Sequence, residues 1–200
     1  MRGLLLMCLM ALGLAAEPIV IGKVIRATGD VMILRDWGEG NVKPDKETPL
    51  YTGDRLVTYD DSWSYVRFRG ESRVALAPKS SVEFTAIGEF NQISGLAYYV
   101  VSDKSRRPGR VTTPMGIIAT TPGEFMVDVK SDEVMAVKGA LTLSGKKGRE
   151  VRIPPGTFVS FGLFGMTDGE LEKRMKEDLT SFQRYAPGRT RFEPGEKDGQ

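Results

Sequence analysis

The reactive side chains of this chain set narrow limits on its chemistry. Its 200 residues include no histidine, and the single cysteine is Cys8. The absence of histidine excludes Ser-His-Asp and Cys-His catalysis, histidine-ligated zinc and a histidine pH switch. The plainest carboxylate pair is Asp60 and Asp61 in YDDSW. Adjacent strand residues face opposite sides, so this pair favours a turn over acid–base catalysis. We therefore expect no enzyme activity.

A glycine-containing stretch, GALTLSGKK (139–147), has some features of a phosphate-binding loop. Five residues, where that loop needs four, separate Gly139 from Gly145. Lys147 also stands where a Ser or Thr should bind magnesium. The alternation of Leu141 and Leu143 instead predicts a strand that ends in a glycine turn. No cofactor is predicted from these residues, and no metal.

The first residues, MRGLLLMCLMALGLAAEP, predict a secretory signal peptide over residues 1–16. Arg2 precedes an apolar run, which is shorter than the roughly 20 residues of a transmembrane helix. Cleavage after Ala15 places small residues at both recognition positions, with Ala16 as the second choice. We expect a periplasmic or secreted protein without a transmembrane span in its mature chain; the alternative is an uncleaved N-terminal membrane anchor.

The charge balance gives little sign of nucleic-acid binding. Lys and Arg number 28 against 26 Asp and Glu, a net charge of +2. Nucleic-acid binding would need a basic surplus gathered on one face. The most basic segment is KSRRPGR (104–110), which is either a solvated hairpin tip or a patch for an acidic partner or a phosphate headgroup.

Short β-favouring runs follow one another from residue 19 to residue 161 at spacings near ten residues. Glycine, proline, aspartate and serine separate them, which predicts an all-β domain. The segment DWGEGNVKPDKETPL (36–50) has no strand pattern, so we expect a weakly constrained loop there.

One of these runs, residues 62–69, carries the candidate partner-binding residues. Period-two alternation places Val66 and Phe68 on a core face. The opposite face then has an aromatic and arginine stripe, a composition enriched at binding hot spots. Its members are Trp63, Tyr65, Arg67 and Arg69. The alternative is that a C-terminal helix or another sheet covers this face.

The pattern changes after Gly165. Thr167 and Glu170 form a capping box, and an apolar stripe follows at helical spacing. The stripe consists of Leu171, Met175, Leu179 and Phe182. We predict an amphipathic helix within 166–186 that packs on the β domain, or on a partner or second copy by self-association. A tail of charge, proline and glycine, residues 187–200, is predicted to be disordered.

The ordered set of motifs resembles a known family. GKVIRATGDVMIL, LYTGDRLVT, WSYVRFRGESRVALAPKSSVEF, VTTPMGIIATTPGEFMVDV and VRIPPGTFVSF are similar in sequence and spacing to the FecR domain of exported bacterial proteins. The resemblance covers nearly all of residues 20–161 and implies a short-stranded β roll or solenoid-like domain, which we place at 17–165. One departure is Glu124, where the family has Thr.

The resemblance also implies a kind of function. In the best-known members the domain lies in the periplasm, senses an outer-membrane transporter and is joined through a membrane span to a cytoplasmic sigma-factor regulator. This sequence resembles the domain alone, so that regulator role is not carried over. We expect an exported non-enzymatic module whose partner is another envelope protein. The alternative is binding of cell-wall glycan or another surface polymer, for which the candidate rings are Trp37, Tyr59, Trp63 and Tyr65.

Overall fold

The computed structural model describes residues 18–38, 40–105, 109–145 and 150–160. The predicted signal peptide, C-terminal helix and tail lie outside these residues. The described residues form β-strands without a helix, which confirms the all-β prediction. Accordingly, no helix in this part of the chain is long and apolar enough to cross a membrane. The strands are β1 Val20–Thr28, β2 Val31–Leu34, β3 Pro49–Tyr51, β4 Arg55–Thr58, β5 Trp63–Phe68, β6 Arg73–Leu76, β7 Ser80–Ala86, β8 Glu89–Ser94, β9 Leu96–Val101, β10 Gly109–Thr112, β11 Gly116–Thr120, β12 Gly123–Asp128, β13 Glu133–Lys138, β14 Leu141–Gly145, β15 Glu150–Ile153 and β16 Thr157–Ser160.

The strands form two eight-stranded sheets. Sheet A has the order β16-β13-β12-β9-β6-β5-β1-β3, and sheet B has the order β15-β14-β11-β10-β8-β7-β4-β2. Paired strands run antiparallel, apart from the parallel pair β8 and β10. The chain crosses repeatedly from one sheet to the other, which is the winding of a β roll.

A single hydrophobic core lies between the inner faces of the two sheets. Phe68 of sheet A lies 5.4 Å from Phe84 and 5.2 Å from Phe90 of sheet B, measured between ring centroids. Tyr99 of sheet A continues this cluster, 5.5 Å from Phe90 and stacked 4.9 Å from Phe125. Burial of each such ring stabilises the fold by roughly 1.5–3 kcal/mol. These rings therefore hold the two sheets together.

Two strands, β3 and β8, were not predicted from the sequence. β8 has the sequence EFNQIS, in which Gln92 faces the core and hides the apolar alternation. Gln92 is accommodated because it donates to the carbonyl oxygens of Gly95 and Val127 and accepts from the Tyr99 hydroxyl. Because Gln92 has all these hydrogen-bond partners, its burial costs little free energy.

The segment 36–50 is loop over most of its described length, as its sequence indicates, but it is held in place more firmly than expected. This segment contains the start of β3, and Val42 forms a β-bridge with Ile33 of β2. Leu50 is completely buried. These backbone pairings and the burial of Leu50 fix much of the segment, although its sequence has no regular alternation.

Three further segments can be compared with the sequence predictions. Asp60 and Asp61 form a turn, as predicted, and Asp60 makes an exposed ion pair with Lys79 at 2.8 Å. Residues 141–145 form strand β14, also as predicted. The hairpin expected at 104–110 is wrong, because β9 before it lies in sheet A and β10 after it lies in sheet B.

Candidate interaction face on the outer surface of sheet A

An apolar band crosses the outer face of sheet A. Because Phe125 and Val127 of β12 point into the core, Met126 between them points outward. Cross-strand register then places one outward side chain from each of six neighbouring strands in a row. The apolar band consists of Tyr65, Ala75, Tyr98, Met126, Met135 and Phe158.

The middle of the apolar band is unusually well buried for an outer face. Ala75, Met126 and Met135 are only 7%, 9% and 5% exposed, although none of the three belongs to the core cluster between the sheets. A shallow groove runs along this part of the band. It is lined by Leu96, Met126, Asp128, Glu133, Met135 and Phe158.

The outer face of sheet B differs in composition. One of its cross-strand rows contains Arg55 opposite Glu83 and Glu83 opposite Asn91. Another places Arg110 opposite Ala119 and Ala119 opposite Thr142. Polar and charged side chains dominate these rows, so the continuous apolar surface belongs to sheet A.

The predicted stripe Trp63, Tyr65, Arg67 and Arg69 lies on the same outer face. The first three residues belong to β5, and Arg69 follows in the turn after it. Trp63 and Tyr65 are partly buried, whereas Arg67 and Arg69 are exposed. The alternate residues from Ser62 to Phe68 are buried on the inner face, as the alternation predicted. The stripe thus joins the apolar band at Tyr65; its role in binding stays a prediction.

A row of cations borders the apolar band on three neighbouring strands. Arg67 lies directly opposite Lys23 of β1 on one side and Arg73 of β6 on the other. Like charges directly opposite each other destabilise a sheet. Glu47 offsets part of this repulsion: the hydrogen bond from Lys23, more than any other interaction, holds the pKa of Glu47 below its usual value. The row nevertheless keeps a positive excess.

Glu124, the residue that departs from the family pattern, also lies on this face. Lys138 stands directly opposite it on β13 and donates a hydrogen bond of 2.6 Å to its carboxylate. The hydroxyl of Tyr98 donates to the other carboxylate oxygen. Burial alone would raise the pKa of Glu124, but these two hydrogen bonds outweigh it and lower the pKa. Sequence reasoning missed this cluster because its members come from three strands.

The candidate glycan-binding rings do not share one surface. Trp63 and Tyr65 lie on the outer face of sheet A, whereas the exposed Tyr59 follows β4 of sheet B. Trp37 packs edge-on against Tyr51 at 4.9 Å, and the Arg35 guanidinium lies 4.6 Å from the Trp37 ring. The four rings therefore do not form a single stacking platform.

Arg35 connects this aromatic pair to the turn before β4. Its guanidinium makes two 2.8 Å hydrogen bonds to the carboxylate of Asp54, which is completely buried. Asp54 also accepts a hydrogen bond from the backbone N–H of Tyr51. The Gly53-Asp54 step of the LYTGDRLVT motif therefore carries a buried ion pair.

Residues 54–142 match the family model described as FecR protein. This stretch is similar to the FecR family. The match begins at the buried carboxylate of Asp54 and ends within β14, so it contains β5, β6, β9 and β12 of the outer face of sheet A. It confirms the predicted resemblance over this range, which is fewer than half of the 200 residues.

Solved structures with some similarity include two crystal structures, each of a candidate anti-sigma factor from Parabacteroides distasonis ATCC 8503. Their sequence identities to this chain are 16% and 17%, and both TM-scores are 0.45. In each comparison 52% of either chain is covered, so this chain spans about half the length of the structures it matches. A search among curated proteins gives no match.

Proposed function

We propose that this FecR-domain chain is an exported, non-enzymatic regulatory module that binds another protein of the bacterial envelope. The binding surface in this proposal is the β5 end of the outer face of sheet A, where the stripe of Trp63, Tyr65, Arg67 and Arg69 meets the apolar band. The single observation that carries it is the meeting of an apolar band with an aromatic and arginine stripe on one sheet face. The FecR match supports a regulatory protein-interaction role.

The cation row indicates the chemistry of the partner. Lys23, Arg67 and Arg73 stand opposite one another at a cost in stability that a role in binding would explain. Complementary charge across an interface speeds association and selects the partner. The partner therefore presents acidic side chains beside an apolar surface, and added salt weakens its binding.

Trp63 and Arg67 are the side chains to test on this surface. Aromatic residues and arginine carry much of the energy at protein interfaces. Trp63 is partly buried at the start of β5, and Arg67 is exposed four residues later on the same face. We expect the double variant Trp63→Ala/Arg67→Ala to fold and to lose the partner.

The experiment is site-specific photo-crosslinking in the native cells, followed by mass spectrometry. A photo-reactive phenylalanine analogue in place of Trp63 keeps an aromatic ring at this position. It should give a discrete adduct with one envelope protein, and Arg67→Ala should reduce that adduct. The matched control places the same residue at Ile117, with Arg110→Ala, on the outer face of sheet B. Identical adducts from both positions, or no protein adduct at Trp63, would contradict the proposal.

A second experiment separates the glycan alternative from the protein partner. Sedimentation of the purified chain with purified peptidoglycan measures glycan binding directly. We expect the chain to stay in the supernatant. Cosedimentation that Trp63→Ala abolishes would assign the face to glycan instead.

Export is the other part of the proposal, and the sequence MRGLLLMCLMALGLAAEP supports it. Cell fractionation with N-terminal sequencing tests it. We expect the chain in the periplasm or medium, beginning at Ala16. A full-length chain in the cytoplasm would refute export while leaving the binding surface open to test.

A further inference from the structure

We propose that the C-terminal segment of this same chain, residues 166–186, docks on the apolar band where it crosses β9, β12, β13 and β16. The occupied surface is the groove beside Met126, Met135 and Phe158. This intramolecular contact is separate from the partner surface proposed at Trp63 and Arg67, which lies further along the sheet on β5.

The burial of the two methionines is the first observation. Met126 and Met135 point away from the core between the sheets, yet each is less than one tenth exposed. On an open sheet face a side chain has same-face neighbours beside it but nothing above it. Ala75 on β6 is buried to a similar degree, so neighbouring side chains supply part of this burial, and the groove beside the two methionines is the apolar surface that a further segment can fill.

The chain path is the second observation. β16 is the edge strand of sheet A beside β13, and it ends at Ser160 with Phe158 in the groove. Seven residues separate Ser160 from Asp168, where the predicted helix begins, and seven residues reach at most about 25 Å. This short connection keeps the segment close to the groove, so its effective concentration there is high.

The length of the apolar stripe on the predicted helix also agrees with the width of the four strands that border the groove. The stripe from Leu171 to Phe182 is about 17 Å long in a helix that rises 1.5 Å per residue. Four neighbouring strands from β16 to β9 span about 14 Å, at roughly 4.8 Å for each step. The stripe therefore covers Phe158, Met135, Met126 and Tyr98 and leaves β5 open to a partner.

Methionine oxidation tests whether the groove is covered. In the full chain, Met126 and Met135 should react slowly with hydrogen peroxide, because a covered thioether is protected from conversion to the sulfoxide. In the variant Leu171→Asp/Leu179→Asp, both should oxidise several-fold faster. Met32, partly exposed on sheet B, is the internal control and should keep its rate. Unchanged rates at Met126 and Met135 would overturn the proposal.

Cysteine pairing tests whether the cover is the chain's own segment. In a Cys8→Ser background, Met135→Cys and Met175→Cys are oxidised together at low protein concentration. We expect an intramolecular disulfide, seen by peptide mass spectrometry in the monomer. The matched control pairs Met135→Cys with Lys173→Cys, which lies on the opposite side of the predicted helix.

Each result of the pairing experiment either supports or contradicts docking of residues 166–186 on the groove. A high monomer disulfide yield with Met175→Cys and a low yield with Lys173→Cys support the docking. Equal yields mean that no fixed contact exists, and disulfide-linked dimers mean that a second copy occupies the groove. Either result overturns the intramolecular proposal. Neither affects the adduct at Trp63, so failure here is distinguishable from failure of the proposed function.

Discussion

The guanidinium of Arg35 and the carboxylate of Asp54 form a bidentate ion pair, with two hydrogen bonds of 2.8 Å, beside the core of the β domain. The Asp54 side chain has no exposed surface, and that of Arg35 is 10% exposed. Trp37 and Tyr51 pack on the guanidinium at 4.6 and 4.8 Å. The pair thus ties the end of β2 to the turn before β4.

Asp54→Ala should lower the free energy of unfolding by about 3–5 kcal/mol, because it leaves the Arg35 charge buried without its partner. Urea denaturation at pH 7 measures the change. Asp60→Ala is the matched control, since it removes an exposed ion pair with Lys79 and should change stability little. Similar denaturation midpoints for the two variants would show that the Arg35 pair is not structural.

Glu124→Gln should make stability less dependent on pH in the acid range. The pKa of Glu124 lies below its ordinary value of 4.5, despite burial, because Lys138 and Tyr98 donate to its carboxylate. A carboxyl with a lowered folded-state pKa stabilises the protein fully above the unfolded-state pKa and loses that contribution as the pH falls through the folded-state value. The wild type should therefore exceed Glu124→Gln in stability at pH 7, and the gap should close towards pH 3.

Urea denaturation across that pH range checks this expectation. Glu89→Gln, at an exposed position of β8, is the control and should run parallel to the wild type. A gap between wild type and Glu124→Gln that stays constant down to pH 3 would show that the ionised carboxylate contributes nothing.

Tyr99→Phe should destabilise the domain by about 1–3 kcal/mol, because it leaves the buried Gln92 side-chain oxygen without its donor. The same bond positions Gln92 to donate to the carbonyl of Val127, which ties sheet B to sheet A. Thermal unfolding measures the loss. Tyr59→Phe, at an exposed ring, should leave the midpoint unchanged. Equal midpoints for the two variants would count against a structural hydrogen bond.

Gly95→Ala should destabilise the domain more than Gly53→Ala. Both glycines have positive φ, +75° and +90°, so each alanine costs about 1–2 kcal/mol in backbone strain. A Cβ at Gly95 would also lie only 2.5 Å from the backbone oxygen of Lys79, whereas nothing lies within 4 Å of one at Gly53. Calorimetry of the two variants gives the difference, and equal losses would mean that the contact relaxes freely.

Much of the fold was predictable because short-range patterns determine it. Alternation placed Val66 and Phe68 in the core, and it placed Trp63 and Tyr65 on the opposite face. The pattern failed at β8, where a polar residue faces inward. Gln92 is tolerated there only because partners distant in sequence satisfy its hydrogen bonds.

The candidate site was predictable only in part. The stripe on β5 followed from one strand, but the apolar band required knowledge of which strands are neighbours. Met126 and Met135 are nine residues apart and face each other on β12 and β13, whereas Tyr98 joins them from β9. Glu124 had no explanation in the sequence until the register placed Lys138 opposite it.

The sequence by itself determined the all-β class, the residues that alternate in and out of the core, and the absence of histidine chemistry. These properties depend on side-chain types and on the two-residue period of a strand, which are local. Only the tertiary structure decided strand order, register and the assignment of β9 and β10 to different sheets. Those depend on contacts between residues far apart in the chain, and such contacts create the apolar band and the buried pair of Arg35 and Asp54.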